Sequence, residues 1–319
     1  MCNFVAMKFA DNLNRLFLKS TLGVMGRLPL GMLYPLANAL AWLAGAVVGY
    51  RRRVVRKNLQ SAFPDKSEEE LRGIEKRYYR FLADYFIETI HISGMSRKEM
   101  LRRMDLQGME QLDADLRSGR HVSIYLGHYC NWEWVSSIPL HLTAECARGE
   151  VYHPLENAGF DSYFLDLREK FGAQCVSMRD ILRWLLGNQR EGLPTLVGYI
   201  ADQVPSYDAV HCFVDFMHQD TPVFTGAEKL SRRLKASAYY LDLRREKRGH
   251  YVGVFEKITD DASSLPEFEL TREYFRRLQK SIERQPELWL WSHNRWKRTR
   301  EGFFEKFGDK EARERLEKL

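Results

Sequence analysis

Cysteine is scarce in this chain of 319 residues, and its five cysteines form no Cys-x-x-Cys pair. An odd number of cysteines without paired spacing indicates reduced thiols rather than a disulfide framework. The lack of pairs also argues against a zinc ribbon or finger, and no His-Glu-x-x-His segment occurs. We therefore expect neither a metal nor another cofactor.

Internal repeats, low-complexity linkers and heptad runs are also lacking, so we expect a monomer. The composition is that of an ordinary globular protein, with 45% hydrophobic and 29% charged residues. A net charge of +6 indicates an anionic partner, which could be nucleic acid, a membrane surface or an acidic protein. Because no helix-turn-helix, RNA-recognition or zinc-finger pattern is present, nucleic acid is disfavoured.

One long stretch, residues 28–50, carries no charge and is followed by a basic cluster at 51–57. About 20 apolar residues suffice to cross a bilayer, and basic flanks of this kind normally stay in the cytoplasm. Two prolines and a glycine weaken the start of the stretch, which leaves a buried or interfacial helix as an alternative. A cleaved signal peptide is disfavoured, because the stretch begins late and lacks a small-residue cleavage pattern. Residues 9–25 are amphipathic and suited to the bilayer surface.

Beyond residue 105 the pattern alternates between short apolar runs and amphipathic segments. We expect strands at 121–127, 150–154, 173–178, 194–203, 236–246 and 250–258, and helices at 131–142, 157–172, 179–192 and 267–286. A further helix at 64–94 begins with the capping box formed by Ser67 and Glu70. The alternation predicts an α/β fold with a mixed β-sheet flanked by helices, and an antiparallel hairpin near 236–258.

This pattern divides the chain into three parts. Residues 1–57 are expected to be membrane-associated helices, with a possible single span at 28–50 that anchors the protein. Residues 58–105 form a helical linker or cap, and residues 106–319 form the α/β domain.

The segment 127–133, Gly-His-Tyr-Cys-Asn-Trp-Glu, carries the clearest chemistry. It follows an expected strand and opens an expected helix, with Asn131 at the N-cap, His128 in the preceding loop and Glu133 in the first turn. The positive end of a helix suits a histidine that must accept a proton. A nearby carboxylate can fix the tautomer of such a histidine, and we assign this role to Glu133. The spacing alone is weak evidence, since a histidine near a helix start is more often structural.

With its neighbours, this segment resembles the H-x4-D/E block of the glycerolipid acyltransferase superfamily. It is most similar to the lauroyl and myristoyl transferases of bacterial lipid A biosynthesis. Further blocks resembling that family follow in order at 152–157, 178–180, 199–203, 221–226 and 285–297. The resemblance implies a glycerolipid acyltransferase-like fold and an O-acyltransferase activity, and the apolar N-terminal region fits it as well.

The resemblance also implies roles in substrate or oxyanion binding for Asn131, His153, Asn157, Arg179, Asp202, Gln203 and Arg295. The chain departs from the family at His153, where arginine is common, so Arg179 or Arg295 is expected to supply the positive charge. For Asp202, capping of a turn is an equally good interpretation. Arg295 could equally be a solvated surface cation.

Taken together, the resemblance implies transfer of a fatty acyl chain from acyl carrier protein, or from coenzyme A, to a hydroxyl of a lipid A precursor. His128 would be the general base and Glu133 would orient it. The expected location is the bacterial inner membrane, with the catalytic domain facing the cytoplasm. The alternatives are the same chemistry on another membrane lipid, such as a phosphoinositide mannoside or an aminolipid, and, more remotely, a non-catalytic membrane or nucleic-acid-binding protein.

Overall fold

The computed structural model describes residues 20–316 and residue 318. Residues 20–26 are helical, and residues 9–19 of the amphipathic segment expected at 9–25 lie outside the described part. The helices that follow are α1 (Leu30–Trp42), α2 (Arg52–Ala62), α3 (Glu68–Ile92), α4 (Arg97–Arg103), α5 (Met109–Arg117), α6 (Ala158–Glu169), α7 (Ile181–Arg190), α8 (Gly226–Arg233), α9 (Glu269–Arg284) and α10 (Arg300–Leu316). The strands are β1 (Met104–Gln107), β2 (Val122–Leu126), β3 (Ala147–Tyr152), β4 (Gln174–Ser177), β5 (Thr195–Ile200), β6 (Cys212–Phe216), β7 (Gln219–Val223), β8 (Ser237–Lys247) and β9 (His250–Thr259).

Seven strands form one sheet in the order β1-β9-β8-β2-β5-β3-β4. Strands β8, β2, β5, β3 and β4 are mutually parallel, whereas β8 and β9 form an antiparallel hairpin. The predicted mixed α/β fold and the hairpin near 236–258 are therefore confirmed. Strands β6 and β7 form a separate antiparallel pair.

Strand β2 lies at the centre of the sheet, and all five of its residues are buried. Parallel strands covered on both faces typically consist of continuous apolar runs. The sequence of Val122–Leu126 is mostly apolar, as this rule predicts. The polar side chain in this run, Ser123, accepts a hydrogen bond from the Ser231 hydroxyl of α8 at 2.8 Å, so its burial is compensated. The rigid centre of the sheet thus leads directly into the segment that begins at Gly127.

Helix α3 packs against α1 and is joined to the β8–β9 hairpin by hydrogen bonds from Arg245 to Asp84 and from Tyr251 to Glu88. Its predicted capping box is confirmed, because the Ser67 hydroxyl accepts from the Glu70 N–H while the Glu70 carboxylate accepts from the Ser67 N–H. Most of its aromatic face is buried, including Tyr78 and Tyr85, but Phe86 is half exposed.

Several elements differ from expectation. The segment expected as an α-helix at 131–142 is a 3₁₀-helix, Trp132–Leu140, with Pro139 inside it. Proline supplies no N–H and crowds the preceding turn, which disfavours regular α-helical continuation. The elements β1, β6, β7, α5, α8 and α10 were not expected from the sequence.

The apolar stretch at 28–50 forms α1 and a π-helical continuation, Leu43–Val48. Among the described residues, this helix alone is long and apolar enough to cross a membrane. One face packs against α3 through Leu30, Leu33 and Ala37, all buried. The stretch is therefore attached to the folded domain along its length.

Candidate active site

Two neighbouring parallel strands end at the same edge of the sheet and bring His128 and Asp202 together. Strands β2 and β5 pair in a register that sets Leu126 opposite Ile200. Each chain then continues for two residues, so the side chains at 128 and 202 emerge side by side. Loops at the carboxyl ends of parallel strands are the usual position of functional groups in α/β folds.

The contact between the two side chains is short. The Nδ1 atom of His128 lies 2.6 Å from Oδ1 of Asp202, and the His128 backbone N–H donates to Oδ2 at 3.0 Å. The Trp289 indole N–H also donates to Oδ2, at 2.8 Å. Asp202 therefore accepts three hydrogen bonds in a position that is 2% exposed.

Asp202 is ionised in this environment. Burial by itself would raise its pKa, but the charge of His128 and the hydrogen bonds from His128 and Trp289 outweigh burial, and the pKa of Asp202 lies below its ordinary value. An ionised carboxylate can only accept hydrogen bonds, so the proton in the short contact belongs to Nδ1 of the histidine. When the ring is in its neutral form, the lone pair on Nε2 is therefore available as a base.

The available nitrogen of His128 faces the partly exposed side of the site. The amide nitrogen of Gln203 lies 3.2 Å from Nε2, in a position to donate to it. About 20% of the His128 side chain is exposed, and the ring stands edge-on to Trp132 at 5.3 Å between centroids. Nε2 can therefore be reached by a hydroxyl that takes the place of the Gln203 amide.

Glu133 does not contact His128, and its assignment as the orienting carboxylate is wrong in this geometry. Its two carboxylate oxygens bind the Arg168 guanidinium at 2.6 and 2.9 Å, and Tyr85 donates to it at 3.3 Å. Burial by itself would lower the pKa of Arg168. The hydrogen bonds to Glu133 and its negative charge outweigh burial, so the pKa of Arg168 lies well above its ordinary value. The carboxylate is thus held in a bidentate ion pair, while the end of β5 supplies the carboxylate that reaches the imidazole.

Asn131 is the N-cap of the 3₁₀-helix, as expected, and is fully buried. Its Oδ1 atom accepts from the Trp134 N–H at 3.3 Å, and its Nδ2 atom donates to Glu88 at 2.8 Å. Glu88 also accepts from Tyr34 and Tyr251. The side chain of Asn131 therefore anchors the segment to α3, facing the core rather than His128.

The other strand-end residues lie along the same edge of the sheet. His153 follows β3 and Arg179 follows β4, and both side chains are exposed. Asn157 caps α6 by accepting from the N–H groups of Gly159 and Phe160. Among the described residues, no hydrogen bond or ion pair joins these side chains to His128 or Asp202.

Arg295 is neither a solvated cation nor exposed to a lipid headgroup, because it is fully buried. Its Nη2 atom donates to the Pro222 carbonyl at 2.8 Å, while Nε and Nη1 have no hydrogen-bond partner among the described residues. Burial lowers the pKa of Arg295 to about 10, partly offset by the charge of Asp202. The positive charge of Arg295 therefore lies in the protein interior, where it interacts electrostatically with Asp202.

Three further residues shape the site without having been singled out from the sequence. Trp289 supports Asp202, Arg168 neutralises Glu133, and His293 accepts from the Val204 N–H at 3.2 Å. Burial lowers the pKa of His293 to about 4, which keeps its ring neutral. Trp289 and His293 stand in the closing block at 285–297, which was the available signal, whereas Arg168 lies outside all of the blocks.

Within the described residues, no group of three histidine, cysteine, aspartate or glutamate side chains could hold a metal ion. The site consists of a histidine whose ring is fixed by a buried carboxylate, with one nitrogen accessible. Such an arrangement can act chemically as a general base on a hydroxyl or similar group. It defines the chemical class of the site.

Comparison with known proteins identifies the family. Residues 16–298 match the family described as bacterial lipid A biosynthesis acyltransferase, and the chain belongs to that family. A lipid A biosynthesis acyltransferase of Haemophilus influenzae is 22% identical over 208 residues, an alignment that spans 64% of this chain and 64% of that relative. The family resemblance found in the sequence blocks is thereby confirmed.

Proposed function

We propose that this protein transfers a fatty acyl chain from a thioester donor to a hydroxyl of a lipid A precursor. The observation that carries the proposal is the 2.6 Å contact between His128 Nδ1 and Asp202, which leaves Nε2 as an accessible base. Membership of the lipid A biosynthesis acyltransferase family supports the reaction class and the acceptor. The remaining parts of the proposal concern the mechanism, the donor and the location.

In the proposed mechanism, His128 Nε2 removes the proton of the acceptor hydroxyl as the oxygen attacks the thioester carbonyl. The tetrahedral oxyanion collapses with cleavage of the carbon–sulfur bond, and the imidazolium returns its proton to the departing thiolate. Asp202 stabilises the imidazolium and holds the ring with Nε2 directed to substrate. General-base catalysis of this kind contributes roughly 10²–10⁴-fold in rate.

Glu133 has a different role in this proposal. Its ion pair with Arg168 joins the 3₁₀-helix to α6, and the Tyr85 hydroxyl adds α3 to the same cluster. The cluster fixes the segment that carries His128 from its far end. Glu133 is thus a positioning residue. In this proposal, the H-x4-E motif contains the base at one end of a rigid segment and the residue that anchors the segment at its other end.

The donor is proposed to be acyl carrier protein, with coenzyme A as the alternative. A net charge of +6 favours an acidic carrier protein and also a phosphorylated glycolipid acceptor. His153 and Arg179, exposed at the same sheet edge as His128, are candidates for contact with such anionic groups. In this proposal, substrate approaches His128 along that edge of the sheet.

The proposed location is the bacterial inner membrane, with the catalytic domain on the cytoplasmic side. The apolar helix Leu30–Val48 supports membrane association. The basic cluster at 51–57 follows it directly, and such clusters are retained in the cytoplasm.

The test is an assay of the detergent-solubilised protein with a radiolabelled lipid A precursor and a panel of acyl carrier protein thioesters. The natural protein is expected to form a more apolar product, and His128→Ala to form at least 10²-fold less. Coenzyme A thioesters in parallel identify the donor. Equal product from both proteins would remove His128 from the mechanism, and absence of product with every donor would exclude lipid A precursors as acceptor.

A further inference from the structure

Helix α1 and its continuation run antiparallel along α3. Near the start, Tyr34 donates to Glu88 at 3.0 Å. Further along, a Cβ on Gly45 would meet the ring of Tyr79 at 3.1 Å, and the Tyr79 hydroxyl donates to the Tyr50 carbonyl at 2.7 Å. As the residue numbers rise on one helix they fall on the other, so the apolar helix is bound to α3 from end to end.

The helix has two apolar faces with different surroundings. Its inner face is buried against α3. Its outer face is exposed, with Met32 68%, Leu36 42%, Leu43 43% and Val47 57% accessible. These positions recur every four or seven residues, which aligns them on one side of the helix. An exposed apolar stripe about four turns long indicates a surface that is covered in the cell.

A bilayer-crossing orientation of this helix conflicts with its partner. Beside the middle of α1, Asp84 of α3 is paired with Arg245 and Arg248. The Arg248 guanidinium donates to the side chain of Asn38 on α1 at 2.9 Å. If α1 crossed the hydrocarbon core, these charges would be carried to the same depth, which is strongly unfavourable. Detachment of α1 would instead break its partly buried hydrogen bond to Glu88 and expose the apolar face of α3.

A groove beside the helix carries positively charged side chains that can attract an anionic membrane surface. It has a volume of about 860 Å³ and lies between α1, α2 and α3. Eight arginine or lysine side chains line it against three acidic ones. Trp42, 65% exposed, stands at its rim on α1, and tryptophan favours the boundary between headgroups and acyl chains.

We propose that α1 and its continuation lie parallel to the membrane plane rather than across it. The outer face containing Met32, Leu36, Leu43 and Val47 enters the headgroup–acyl boundary of an anionic bilayer, and the basic groove meets its phosphates. Residues on either side of the helix are then on the same side of the membrane. The inference rests on the membrane association proposed above and is independent of the acyl-transfer reaction.

The first test measures depth at the four outer positions. Each is changed singly to cysteine in a chain that keeps the buried Cys130 and Cys212 and has alanine at the other three cysteines. Each variant is spin-labelled and reconstituted into phosphatidylethanolamine–phosphatidylglycerol vesicles. Positions 32 and 47 are about 22 Å apart along the helix at 1.5 Å per residue. Equal depths at all four positions are expected, whereas a depth that passes through the bilayer centre would overturn the proposal.

The second test does not depend on the orientation of the protein in the vesicle. Thr21→Cys and Arg53→Cys, both at exposed positions flanking the helix, are combined in the same background. An impermeant maleimide is added to sealed vesicles. A helix in the membrane plane gives molecules with either two labels or none, as counted by intact mass. A spanning helix gives one label on every molecule, which would contradict the inference.

The controls separate this inference from the proposed function. In detergent, both introduced cysteines of every molecule must react with the maleimide. Each variant must also keep the wild-type melting temperature. If the four spin labels remain fully in water, membrane association itself fails. One label per molecule overturns the in-plane orientation and leaves both membrane association and the acyl-transfer proposal intact.

Discussion

The two ends of the segment 128–133 use buried carboxylates in different ways. At one end, His128 contacts Asp202, which is 2% exposed; at the other, Glu133 binds Arg168 and is 3% exposed. Burial is thus the same, and the partner is what differs. An imidazole can take up and release a proton near neutral pH, whereas a guanidinium stays protonated. Asp202 can therefore support proton transfer by His128, whereas Glu133 stabilises the position of the segment.

The comparison also shows what decides which carboxylate reaches the base. Glu133 is five residues from His128 in the chain but turns towards α6. Asp202 is 74 residues away and hydrogen-bonded to the ring. Pairing of β2 with β5 brings the distant residue closer than the local spacing does.

The largest expected effect in this comparison is that of Asp202→Asn. The carboxylate accepts three N–H groups, and an amide offers one oxygen, so at least one of the donors from His128 and Trp289 loses its acceptor. The histidine is then free to adopt the unproductive tautomer. We expect kcat to fall roughly 10²–10⁴-fold in the acyl-transfer assay.

The matched control for this variant is Asp208→Asn, which removes an exposed carboxylate paired with Lys306. This variant is expected to retain the wild-type kcat in the acyl-transfer assay. Both variants should show the natural circular dichroism spectrum. A fully active Asp202→Asn protein would show that the short contact does not serve the reaction.

A smaller effect on rate, with a larger effect on stability, is expected at the other carboxylate. Arg168→Ala leaves the buried Glu133 carboxylate without its partner, which typically costs about 3–5 kcal/mol of unfolding free energy. Glu133→Gln leaves the partly buried Arg168 guanidinium unpaired and is expected to cost less. The activity of the folded protein is expected to fall by less than that of Asp202→Asn. Denaturant unfolding and the acyl-transfer assay measure the two quantities.

The double variant Glu133→Gln/Arg168→Ala sharpens this expectation. Because both changes remove the same ion pair, the double variant should be no less stable than the worse single variant. Additive losses would mean that the two side chains contribute separately. A rate loss in Glu133→Gln matching that of Asp202→Asn, at natural stability, would return Glu133 to the chemistry.

Much of the fold follows from local sequence pattern. Each expected strand was found close to its predicted limits, such as β2 at Val122–Leu126 within 121–127. The buried side chains of these runs and the capping box of α3 are local signals. The β6–β7 hairpin was missed because its turn uses Met217 and His218 at positive φ, without the Asn-Gly sequence that marks such turns.

The site could be predicted only in part, for a physical reason. His128, Asp202, His153 and Arg179 each follow an expected strand, so their position at strand ends could be derived from pattern. The lateral order of the strands depends on long-range packing, which no local pattern records. The pairing of β2 with β5 rather than β3 was therefore hidden, and with it the partner of His128.

The central claim is that Asp202, and not Glu133, holds the ring of His128. The most direct measurement is the NMR signal of the His128 Nδ1 proton in selectively labelled protein, since a short hydrogen bond to a carboxylate moves that proton to low field. The signal is expected at low field in the natural protein and in Glu133→Gln, and is expected to be lost or moved upfield in Asp202→Asn. A signal lost in Glu133→Gln and unchanged in Asp202→Asn would contradict the account.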